Sequence, residues 1–127
     1  MKKLLALILI TGTSFAYAQS LQPITQSQVK SKDPYQVYGL SLRCVALFWF
    51  LNDSIKSEST RELVKLSVQV SKDIGDYQGY SVEKVRDASW VFIEFTKPIY
   101  TAEIKKTKSP LIQNDMFMCS DLLQRFK

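Results

Sequence analysis

The chain has 127 residues, with 17 Lys and Arg against 12 Asp and Glu and no histidine. Lacking histidine, it lacks the usual general base, metal ligand and proton switch, and two cysteines alone do not make a metal site. Its cations are spread along the chain and cluster tightly only at Lys105, Lys106 and Lys108, a pattern that supports weak contact with an anionic membrane surface and little more.

Lys2 and Lys3, the unbroken apolar run from Leu4 to Ile10 and the small-residue pattern Ala16-Tyr17-Ala18 have the layout of a secretory signal peptide over residues 1–18, cleaved after Ala18. The run is well short of the roughly 20 apolar residues that span a bilayer, although an uncleaved segment through Phe15 would make a weak anchor. Residues 19–127 would then form the exported protein, periplasmic or secreted, where nucleic acid is not a partner. Residues 19–32 are rich in Gln, Ser and Lys, contain Pro23 and show no sustained apolar period, so they read as a flexible leader outside the core.

A single helical domain is expected over 33–127. Asp33 followed by Pro34 is an N-cap and first-turn pair, opening a first helix to about Asn52. Ser59 and Glu62 have capping-box spacing, and Leu63, Leu66, Val70 and Ile74 continue a second helix until Gly75 offers a stop. After a turn to Tyr80, Ser81 caps a third helix that starts at Val82, carries Glu83 in its first turn and runs toward Lys108. Pro98 is expected to kink or break it near Thr96. Ser109 and Pro110 repeat the cap-then-proline start for a fourth helix, Pro110 to Phe126.

Four helices joined by short turns suggest an all-α, up-down-up-down bundle. In that arrangement the first and fourth helices are antiparallel neighbours whose midpoints carry Cys44 and Cys119. Each cysteine lies on an apolar stripe: Val37, Leu40, Cys44, Leu47, Phe48 and Leu51 on one helix, Ile112, Met116, Cys119, Leu122, Leu123 and Phe126 on the other. A structural disulfide between Cys44 and Cys119 follows, since a catalytic thiol pair is usually close in sequence.

The first helix is more apolar than one core face requires. Tyr38, Leu42, Val45 and Trp49 form a second stripe away from Cys44, which either neighbouring helices or the leader cover, or which meets a partner or a second copy of the chain. Trp90 falls on the polar side of the third helix between Arg86 and Glu94. That trio is either a surface tryptophan lying across charged stems or an aromatic anchor framed by charges. Phe117 raises the same question more weakly, and Asp115, near the inner stripe, reads as structural.

There is no glycine-rich phosphate loop, Gly-x-Ser-x-Gly elbow or haem attachment motif. The expectation is a non-enzymatic, cofactor-free binding protein of the cell envelope, of inhibitor, immunity or accessory type. It would engage another envelope or secreted protein, or itself as a homodimer, through Tyr38, Leu42, Val45, Trp49, Arg86, Trp90 and Glu94. A periplasmic stress chaperone and a peripheral membrane-surface binder are the alternatives. Acid-stress chaperones and toxin-neutralising immunity proteins share this general plan, but none of their residue signatures appears here.

Overall fold

Side-chain caps set the starts of the long helices. The computed structural model describes residues 21–126, so the signal-peptide reading of 1–18 lies outside the described residues. Those residues are helical with no strand: α1 (Gln26–Val29), α2 (Pro34–Ile55), α3 (Glu58–Tyr77), α4 (Val82–Ile104) and α5 (Pro110–Arg125). Asp33, Ser81 and Ser109 are the expected N-caps of α2, α4 and α5, accepting from the backbone N–H of Tyr35, Lys84 and Ile112.

The cap of α3 is Ser57, not Ser59. Lys56 adopts left-handed backbone angles at the end of α2, so the chain turns at once and Ser57 is the first extended residue. Thr60 completes its capping box in place of an acid and also donates to Asn52 Oδ1 at 2.9 Å, tying the start of α3 to the end of α2. Gly75 does not stop α3, which continues to Tyr77. A Cβ at Gly75 would lie 2.7 Å from Val85 Cγ2, so glycine is there to let α3 touch α4. The positive φ of the following turn falls on Gly79 instead, at 81°.

Residues of α4 remain helical through Pro98, with no break near Thr96. Both Pro98 and Glu94 are exposed, so the Glu94 carbonyl that Pro98 cannot serve is open to solvent. The helix ends at Ile104, short of the lysine cluster. Glu103 gathers Lys106 Nζ at 2.7 Å and the Ser109 hydroxyl at 2.6 Å, fixing the turn into α5.

Helix α2 packs against each of the other four helices. From Leu40 to Leu51 every residue except Arg43 and Trp49 is buried, which uses the apolar excess that one core face would have left over. Cys44 and Cys119 are bridged, with Cα atoms 5.6 Å apart and both side chains sealed from solvent. Such a bridge is characteristic of an oxidising, non-cytoplasmic compartment. No helix among the described residues is long and apolar enough to cross a membrane. On α5, Ile112, Leu122 and Leu123 face inward as expected, whereas Met116 and, just past the helix end, Phe126 are exposed.

The expected flexible leader is, over residues 21–32, part of the body. Ile24 and Val29 are buried in the core, and Thr25 and Gln28 form a capping box at α1. Gln26 donates to Asp121 at 3.1 Å, and the Arg125 guanidinium donates to the Val29 carbonyl. Two anchoring residues make no periodic pattern, and their polar partners lie at the other end of the chain.

The bridge closes a loop of 75 residues. Replacing both cysteines with alanine is expected to lower the unfolding free energy by about 4 kcal/mol through the restored freedom of the unfolded chain. Guanidinium unfolding of the two proteins measures this; a difference under about 1 kcal/mol would contradict the loop-closure argument.

Candidate functional site

Among the described residues, two arrangements gather Asp115 and most of the residues read as interface. The first is a buried cluster centred on Asp115, which is 0% exposed. Its Oδ1 accepts from the Ile24 backbone N–H and from Asn114 Nδ2, each at 3.0 Å. Its Oδ2 accepts from an Arg43 guanidinium nitrogen at 2.7 Å and from the Tyr100 hydroxyl at 3.0 Å. The same Arg43 nitrogen donates to the Gln22 carbonyl at 2.6 Å, and Asn114 donates to the Ile24 carbonyl at 3.0 Å. Both carboxylate oxygens are thus committed within the chain, and the cluster joins α2, α4, α5 and the N-terminal segment. The helix N-terminus alone would not account for Asp115; the guanidinium, phenol and two N–H donors do.

The Tyr100 phenol is held well above its ordinary value, first by burial and then by the neighbouring Asp115 charge. It therefore stays protonated and donates. Tyr38, five residues before Arg43 on α2, is also raised, by burial and then by Tyr80, whose ring lies 5.1 Å away centroid to centroid.

The second arrangement is an open, mainly apolar groove of about 260 Å³ between α3 and α4, floored by α2. Val45 and Trp49 form its floor. Val64, Val68 and Lys72 line the α3 side, and Val82, Val85, Arg86, Trp90 and Ile93 the α4 side. Gly75 and Val85 pinch the two walls together near one end. Trp49 and Trp90 meet edge to face, with centroids 5.7 Å apart, and Lys97 Nζ sits 6.0 Å from the Trp49 ring. Trp90 is 47% exposed and Val82 57%, so apolar surface of the groove remains in water.

Four of the seven residues read as interface therefore converge here: Val45, Trp49, Arg86 and Trp90. The second stripe of α2 is not an open surface, however. Leu42 and Val45 are each only 2% exposed because α3 and α4 both lie over that side. Tyr38 is half-buried, with its ring tilted against Tyr80 beside the Gly75 end of the groove, which it does not line, and Glu94 is exposed outside it. Trp90 is not isolated on a polar face, since its ring packs on Trp49. Arg86 pairs at the surface with Asp87 at 3.2 Å. The α3 wall lies outside the residues read as interface. Its signal was the four-residue spacing of Val64, Val68 and Lys72, beside the stripe of Leu63, Leu66, Val70 and Ile74.

Because the folded chain keeps the Tyr100 proton where the unfolded chain releases it, this group stabilises the fold fully below about pH 10, and the contribution is lost as pH rises through the raised value. Unfolding free energy should fall above about pH 10 by up to roughly 1.4 kcal/mol per pH unit on this account. Tyr100→Phe should show a shallower decline in denaturant titrations; equal slopes in the two proteins would exclude Tyr100 as the source.

No model of a known protein family, no curated protein and no solved structure matches this chain, which leaves the groove and the buried cluster to carry any functional reading.

Proposed function

We propose that this is an exported, non-enzymatic binding protein of the cell envelope, of inhibitor, immunity or accessory type, and that it engages another protein through the groove between α3 and α4. The observation that carries the reading is the meeting of both tryptophans of the chain in one partly open apolar groove. Tryptophan is the side chain most often found as a buried anchor at protein contacts, where it contributes a large apolar area with little conformational freedom to lose. Leaving Val82 and half of Trp90 in water brings no benefit to folding, whereas an apolar segment from a partner would remove both from solvent.

Export is supported by the signal-like layout of the first 18 residues and by the Cys44–Cys119 bridge. A binding role in place of catalysis is supported by the saturated state of Asp115, whose two oxygens already accept four hydrogen bonds from the chain itself. A general base needs an accessible lone pair near its substrate.

Site-specific photo-cross-linking in the native cell tests the proposal. A photoreactive residue at position 68 or 82 should give a discrete heavier adduct, while the same residue at exposed Phe117 should not. Trp90→Ala, a change at a half-exposed position, should reduce the adduct several-fold without unfolding the protein. Adducts of equal strength from all three positions, none from the groove, or only a species of twice the chain's mass would each reject the proposal.

A further inference from the structure

The shape and charge of the groove restrict what fits it, given the binding role proposed above, on which this inference rests. Its walls are helices, and its floor is a third. On α3 the lining side chains recur at Val64, Val68 and Lys72, a repeat of one helical turn that extends about 12 Å along the axis. A trough of that length between two helices, resting on another, is the position a further helix of two to three turns would occupy.

The charge is one-sided. The charged residues lining the groove, Lys72 and Arg86, are both cations. Lys72 makes no ion pair among the described residues, and the exposed pair of Arg86 with Asp87 is of a kind that contributes little and exchanges readily. The two cations are also at one end. Lys72 is three residues from Gly75, and Arg86 follows Val85, so both lie at the pinch where Gly75 meets Val85. Trp49, Val64 and Ile93 belong to the opposite end. The groove is thus cationic at its closed end and aromatic at its open end.

We infer that the partner presents a short amphipathic helix whose acidic side chain meets Lys72 and Arg86 and whose large apolar side chain, one to two turns away, seats against Trp90, one turn from Arg86, and Trp49 beside it. The charge complementarity sets the orientation of the partner and the aromatic end supplies the apolar area.

The test is selection from a displayed library of 16-residue helical peptides on the intact, disulfide-bonded protein, alongside a Lys72→Glu, Arg86→Glu double variant. Wild type should enrich Asp or Glu at a helical spacing of three, four, seven or eight positions from a large apolar residue. Selected peptides should shift the emission of the chain's two tryptophans, both of which lie in the groove, and should bind more weakly as salt rises. The double variant should bind the same peptides at least tenfold more weakly and enrich Lys or Arg at that position. Both substitutions fall at solvent-accessible sites, and a Lys72→Gln, Arg86→Gln variant, checked for native helix content, should weaken binding without reversing the preference.

Enrichment of neutral or basic peptides by wild type, an unchanged preference in the charge-reversed variant, binding without a tryptophan shift, or no enrichment would each overturn the inference. Cross-links from positions 68 and 82 to a partner, with no acidic preference in the library, would leave the groove as the binding site and remove only its acidic occupant. Absent cross-links would remove both.

Discussion

A carboxylate without solvent exposure has to find all its hydrogen bonds inside the protein, and Asp115 finds them from four separate parts of the chain. Removing an ionised group from water costs several kcal/mol, and the attraction of Arg43 offsets this only if the remaining lone pairs are also served. The pair is therefore not a large net source of stability. Its effect is on arrangement. Arg43 comes from α2, Tyr100 from α4, Asn114 from α5 itself and the Ile24 N–H from the N-terminal segment, so satisfying Asp115 requires all of them to be in register. Losing Asp115 would leave a largely buried guanidinium facing a phenol, which is the costly way to break such a pair.

This cluster and the disulfide act on the same two helices in different ways. Cys44 and Cys119 are neighbours in sequence of Arg43 and, one turn on, of Asp115. The covalent link restricts the unfolded chain, while the ionic cluster discriminates among folded arrangements by the cost of unmatched polar atoms. Together they hold α5 and the N-terminal segment against one side of α2.

The opposite side of α2 is covered by α3 and α4, and there the contact is incomplete. A helix buried around nearly its whole circumference needs neighbours on every side, and two straight helices that touch closely at one point diverge elsewhere unless their side chains fill the gap. Gly75 lets α3 approach Val85, and small valines further along leave the gap open. The groove follows from this packing: the tryptophan pair spans part of it and the rest stays accessible. Lys72 and Arg86 at the narrow end give the opening a polarity that apolar packing alone would not supply.

By itself the sequence determined the four long helices and the covalent link. Asp33, Ser81 and Ser109 are legible as caps because capping is local chemistry within four residues, and the cysteine pairing is legible because both residues lie on long inward stripes. The α3 start is ambiguous in the sequence because Ser57-Thr60 and Ser59-Glu62 have the same spacing, and only the left-handed Lys56 selects between them. Tertiary structure decided the rest. Whether Leu42 and Val45 are surface or core depends on how many helices lie over α2, and periodicity reports a face without saying what covers it. Gly75 reads as a stop in one dimension and is a close contact in three, because its reason is Val85, ten residues on. Residues 21–32 look unstructured since Ile24 and Val29 are too few to make a pattern, and the groups that hold them, Asp115, Asp121 and Arg125, are more than 90 residues away, beyond any local signal.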